Sequence, residues 1–225
     1  MSLNSAAPDY FSPRRCLRDP PAEVVLACSL LSEAADFHVL GNSANAERLL
    51  RDADIKTLTA WTDSLWGSRK NHPEQVHFQR YRVVEGSPAY LPKSARVAVR
   101  MPTSAEKSQV IERWGRHCVF CGIPLIRPEV RRAFAKWYPT AVSWGTETYG
   151  QHAAFQCMWM QFDHVIPHSR GGDNSLENIV VTCAGCNFGR MSWTLDELGL
   201  VDPRLETRRP SNWDGLERVF AKPLG

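Results

Sequence analysis

Apolar positions in the first third of the chain recur at helical spacing. Asp19 followed by Pro20 and Pro21 marks a helix start, and Val24, Cys28, Leu31 and Ala35 then share a face before Gly41 ends the run. Ser43 opens a second short helix through Leu49 and Leu50. Asp54 is placed to cap a third, with Leu58, Trp61 and Leu65 on one face ahead of Gly67. A small bundle with these Leu and Trp side chains as its core is the expectation. The period then changes. Ala95, Val97, Val99 and Met101 share one strand parity while Arg96 and Arg100 take the other, and Arg80 and Arg82 share a parity within 76–84. The connection contains Gly86, Pro88 and Pro92, so a loose β-hairpin with an arginine face is predicted. Two readings of that face stand: a ribbon that enters a DNA major groove, or a solvated strand surface.

Thr103 and Glu106 have the spacing of a capping box, and the helix they open runs to about Arg116. Another helix is predicted over 128–138. The apolar run before Asp163 and the Asn178–Thr182 run read as two strands, with Gly171 and Gly172 in their connection. A short helix carrying Asn187 and Arg190 follows, which completes a ββα unit. Beyond it, Thr194–Leu200 and Pro210–Phe220 read as two short helices around a polar linker.

Composition narrows the class without naming it. Hydrophobic residues make up 43% and charged residues 23% of 225, enough for a folded core and against wholesale disorder. The net charge is only +3, so bulk charge does not announce a nucleic-acid partner. The longest uncharged stretch, Thr148–Phe162, is shorter than the roughly 20 residues a membrane helix needs. Residues 1–11 contain no apolar run of signal-peptide length. A cytoplasmic protein with no membrane partner is the expectation, and there thiols stay reduced.

The seven cysteines then become informative. Cys118-Val-Phe-Cys121 and Cys183-Ala-Gly-Cys186 are two C-x2-C knuckles, each able to aim two thiolates at one ion. The 61 residues between them exceed the roughly 15–20 of a compact zinc ribbon. Loop closure entropy grows only logarithmically with length, so such an insertion is tolerable. Four thiolates leave no open coordination position, and the zinc they would hold is therefore structural. Cys16, Cys28 and Cys157 are left over as ordinary thiols.

Between the knuckles lie Asp163-His164 and Asn178, and Asn187 directly follows the second knuckle. Cleaving a phosphodiester needs an activated water and charge neutralisation at the phosphate and the leaving oxygen. A histidine suits the first need near neutral pH. Asp163 at a strand end, with the Asn187 amide oxygen, offers the hard ligands that Mg²⁺ takes alongside water and phosphate.

Acid-His, mid-motif Asn, terminal Asn and both knuckles, in that family's order, closely resemble the HNH endonuclease family in its variant with a final Asn. The resemblance covers roughly residues 110–195. It implies His164 as general base, Asp163 and Asn187 as ligands of one catalytic Mg²⁺ or Mn²⁺, and Asn178 as a brace of the loop that helps orient His164. It also implies DNA as substrate, with 5′-phosphate and 3′-hydroxyl products. Arg190, one turn beyond Asn187, and Arg170 in the glycine-rich loop are expected near the scissile phosphate. His168 either touches phosphate or orders the loop. Arg127, Arg131, Arg132 and Lys136 recur on one helix face, which either tracks the DNA backbone or is simply solvated.

The expected fold is α+β: a ββα-metal unit stapled by a structural four-cysteine zinc, preceded by a helical region and a β-hairpin. Residues 1–103 would serve target recognition or assembly, 104–200 form the nuclease domain, and 201–225 a tail with a short helix. One site per chain implies a homodimer or two successive nicks for a double-strand cut. The same residues suit a restriction-type or other bacterial or phage nuclease, a subunit of a larger guided or defence nucleoprotein complex, or a non-catalytic zinc-stabilised DNA-binding module.

Overall fold

A computed structural model describes residues 13–66, 81–206 and 211–221. Three helices open it: α1 (Glu23–Val39), α2 (Ser43–Asp52) and α3 (Lys56–Trp66). The Asn42 side chain caps α2 by accepting from the Asn45 N–H. Asp54 divides its carboxylate, and one oxygen pairs with Lys56 at the start of α3 at 2.7 Å. The other reaches across and accepts from the Ala153 N–H at 2.7 Å.

Helix α4 (Ser104–Trp114) starts from the Thr103–Glu106 capping box and ends at Gly115, whose φ of 73° is left-handed. It is followed by α5 (Pro128–Trp137) and the short α6 (Ala153–Cys157). Strands β1 (Met160–His164) and β2 (Ile179–Cys183) pair antiparallel, from Met160 opposite Cys183 to His164 opposite Ile179. Then come α7 (Ala184–Arg190) and α8 (Leu195–Leu198). The two strands and α7 make the ββα unit. Residues 217–220 form a 3-10 turn in place of a longer tail helix. Among the described residues, no helix is long and apolar enough to cross a membrane.

The predicted hairpin is not formed. Residues 76–80 lie outside the described residues, and 81–101 contain no strand, with a turn at Glu85–Gly86 and a 3-10 turn at Lys93–Ala95. The reason is local. Pro88 and Pro92 cannot donate to a ladder, and the polar backbone groups of this segment are taken up elsewhere. Leu91 N–H donates to the Ser169 carbonyl at 2.8 Å, and Arg82 N–H to that of Glu197 at 2.9 Å. The segment is thus a strap laid over the loop between β1 and β2.

One apolar core runs through the described chain, from Leu31 and Leu50 through Phe134 and Phe155 to Ile179 and Leu198. Helix α3 packs on α6 and α7. Two glycines allow the second contact. A Cβ at Gly189 would stand 3.0 Å from Leu17 Cδ1 and 3.2 Å from the Leu65 carbonyl, and one at Gly185 would meet Trp61 and Leu65. The N-terminal bundle therefore seats the helix that carries Asn187.

Candidate active site

The four knuckle cysteines converge. Their sulfurs all lie within 4.8 Å of one another, and Cys121 Sγ is 3.6 Å from Cys183 Sγ. Gly122, with φ 75°, turns the first knuckle, and its N–H donates to the Cys118 carbonyl. Cys183 ends β2 and caps α7, where its sulfur accepts from the Cys186 N–H. Soft donors, close spacing and burial fit a tetrahedral zinc. Among the described residues, no other group of three or more His, Cys, Asp or Glu side chains gathers in this way. Cys16 bonds to Asp19, and burial together with that carboxylate pushes its thiol up to about 12, so it stays protonated.

Asp163 and His164 sit at the last rungs of β1. The loop beyond them is braced by Asn178: its Oδ1 accepts from Ile166 N–H at 2.8 Å, and its Nδ2 donates to the carbonyls of Asp173 and Ile166. Gly172 must be glycine here, because a Cβ would fall 1.8 Å from the Ile166 carbonyl oxygen. The side chain that meets the His164 ring is that of Asn174, whose Oδ1 is 2.9 Å from His164 Nε2. Asn174 Nδ2 donates to the Val99 carbonyl at 2.8 Å, which fixes the amide's orientation. An amide oxygen only accepts, so Nε2 carries the proton, and Nδ1 holds the lone pair whenever the ring is neutral. Burial lowers the His164 pKa, with the Asn174 contact and Asp163 opposing the shift and His168 and Arg100 adding to it. The ring is accordingly neutral, and competent as a base, at pH 7.

Asp163, His164 and Asn187 line one cleft of about 630 Å³ together with Phe188, Met191 and Ser192. The far wall is the strap, with Lys93, Arg96 and Arg100 on the cleft. Met191, immediately after α7, has φ 54°, a left-handed conformation unusual for a side chain of its size, and it is exposed on the rim.

The arginines of the motif are not on that cleft. Arg190 is 1% exposed and grips Asp163 with two bonds, Nε to Oδ2 at 2.9 Å and Nη2 to Oδ1 at 2.6 Å, while also donating to the carbonyls of His164, Val165 and Trp193. Arg170 is paired with Glu197 at 3.0 Å and donates to the carbonyls of Ser192 and Pro88. Both are buried because each neutralises a buried carboxylate, and neither reaches solvent to meet a phosphate. His168 Nε2 bonds to the Val97 carbonyl at 2.8 Å. On α5 and at its start, Arg131 stacks 3.6 Å over Trp144, and Arg127 pairs with Glu217 at 2.8 Å. Asn174, Lys93, Arg96 and Arg100 are the residues that sequence reasoning missed at this site. Arg96 and Arg100 were visible as an arginine parity, but nothing in the sequence says that this segment folds back onto the His164 loop.

The donor chemistry of the cleft, one carboxylate and one amide oxygen beside open solvent, suits a hard divalent cation. Each Asp163 oxygen gives one lone pair to Arg190 and keeps another.

Residues 154–197 match the family model of the HNH endonucleases. That segment holds both strands, α7, Asp163, His164, Asn178, Asn187 and the second knuckle, so the ββα unit is an HNH endonuclease domain. The first knuckle and the strap lie outside the match. No match was found among the curated proteins or among the solved structures.

Proposed function

We propose that this protein is a metal-dependent DNA endonuclease that hydrolyses phosphodiester bonds with His164 as general base. The observation that carries the reading is the His164 ring: buried, neutral near pH 7, pinned through Nε2, and sharing a cleft with Asp163 and Asn187. Nδ1 is then the atom that takes a proton from the attacking water. Asp163 and Asn187 would hold a Mg²⁺ or Mn²⁺ ion, which supplies charge neutralisation at the phosphate and the leaving oxygen. Arg190 holds the Asp163 carboxylate in place with two hydrogen bonds, acting through it rather than on substrate. The zinc at Cys118, Cys121, Cys183 and Cys186 would hold the fold and take no part in the chemistry.

Incubating the purified protein with supercoiled plasmid and Mg²⁺ or Mn²⁺ tests this directly. Relaxed or linear product is expected from the wild type and none from His164→Ala. Equal cleavage by the two proteins would remove His164 from the reaction.

A further inference from the structure

The strap over the cleft has no role in the fold match and is not needed to close the zinc site. It is nonetheless held firmly. Four bonds fasten it to the loop between β1 and β2: Leu91 N–H to Ser169, His168 Nε2 to Val97, Asn174 Nδ2 to Val99, and Arg170 Nη1 to Pro88, each at 2.8 Å. Tyr81 stacks on Trp193 with ring centroids 3.8 Å apart, and the Arg170 guanidinium lies 4.3 Å over Tyr90. This is a positioned element, and what it positions is charge. Lys93 and Arg100 are exposed, Arg96 is half-buried, and all three border the cleft opposite His164. Among the described residues none of the three is in an ion pair with a carboxylate.

A phosphodiester substrate is a chain of anions, and the phosphates on either side of the scissile one must be held for the water to attack in line. The motif's own arginines cannot hold them, because Asp163 and Glu197 occupy them. We infer that the strap is the phosphate clamp of this nuclease: Lys93, Arg96 and Arg100 grip the DNA backbone beside the cleavage point. Asn174 joins the clamp to the base, since one amide bonds both Val99 on the strap and His164. DNA seated on the strap thus bears on the residue that keeps His164 in register. The contacts are to phosphate, so they add affinity independently of sequence.

The inference rests on the reading of the cleft as a nuclease site, and binding separates it from catalysis. In a His164→Ala background, fluorescence anisotropy with a labelled duplex is measured from low to physiological salt. The slope of log affinity against log salt should fall by about 0.9 per lost phosphate contact, or roughly 2.7 for the strap variant Lys93→Gln/Arg96→Gln/Arg100→Gln. A variant with the same charge loss on the helical bundle, Arg48→Gln/Arg51→Gln/Lys56→Gln, should leave the slope at its parent value. Arg96 Nε also donates to the Leu91 carbonyl at 2.9 Å, so Lys93→Gln/Arg100→Gln serves as a second variant that spares this bond. It should shift the slope by about 1.8. An unchanged slope in both strap variants, or an equal shift from the bundle variant, would overturn the clamp. Failure of the wild type to cut plasmid, with the strap effect intact, would sink the nuclease reading and leave the clamp standing.

Discussion

The imidazole of His164 has one nitrogen left for chemistry because Asn174 occupies the other. Asn174→Ala removes the side chain hydrogen-bonded to Nε2 of that ring without touching the cleft's charge. The ring can then rotate or change tautomer, so kcat should fall by up to about 100-fold while KM stays near its starting value. Asn174→Asp keeps an acceptor facing Nε2 and should recover much of the loss. Steady-state kinetics on a short duplex distinguish this from a structural role, in which alanine and aspartate would lower activity alike. At this scale Asp163, His164, Asn178 and Asn187 could be named as candidates from their order along the chain, since the motif lies in residue type and spacing. Their partners could not. Arg190 and Arg170 read as phosphate ligands because a lone arginine in sequence looks solvent-facing, and only the fold discloses the carboxylates that draw them inside. Asn174, one polar residue among several in a glycine-rich loop, carries no signal of its own.

Among elements, the helices other than α6 and the two strands follow from periodicity and caps, because those signals are local: the Thr103–Glu106 box, the Gly41 turn, and the β1 and β2 runs. The strap was misread because strand parity in 95–101 says which residues alternate but not what they pair with. Contacts between elements are equally silent in sequence, and the junction of α3 with α6 is an instance with a measurable consequence. His152 is fully buried just before α6 and bonds through Nε2 to the Leu50 carbonyl, while Asp54 and Lys56 stand beside it. Burial lowers its pKa below the ordinary 6.5, with the Leu50 carbonyl and Asp54 opposing and Lys56 assisting. The unfolded chain therefore binds a proton more readily, and the stability contributed by neutral His152 is complete above about pH 6.5 and lost as pH falls below it. Burial alone would raise the pKa of Asp54, but the Ala153 N–H and Lys56 hold it below 3.8, so its own loss begins only at lower pH. His38, His117 and His164 shift in the same direction as His152, and the wild-type slope sums them all. His152→Gln keeps a donor for Leu50 and removes one titration. Urea unfolding at pH 7 and pH 5 should show a smaller drop for the variant than for the wild type. Equal drops would clear His152 of the effect.

For the whole molecule, the four-cysteine site joins segments that the chain keeps far apart. Cys118 and Cys121 follow α4, whereas Cys183 and Cys186 belong to β2 and α7, and α7 is seated on α3 through Gly185 and Gly189. The first knuckle also docks on the sheet, with Val119 N–H donating to Val181. A perturbation at the sulfurs is thereby passed to the ββα unit and, through α3, to the N-terminal bundle. Structural zinc in small domains contributes about 10–16 kcal/mol at pH 7, comparable to or larger than the roughly 5–15 kcal/mol of total stability a folded domain has. Without the ion, four sulfurs within 4.8 Å would be crowded into an apolar setting as protonated thiols or repelling thiolates. Elemental analysis should find about one zinc per chain. Chelation, or Cys118→Ser, should abolish the far-UV helical signal of α1–α3 along with that of α7, in one cooperative transition, because a single core spans them. A metal-free protein that kept half of its helix content and melted in a second step would show instead that the bundle folds without the zinc-bound unit.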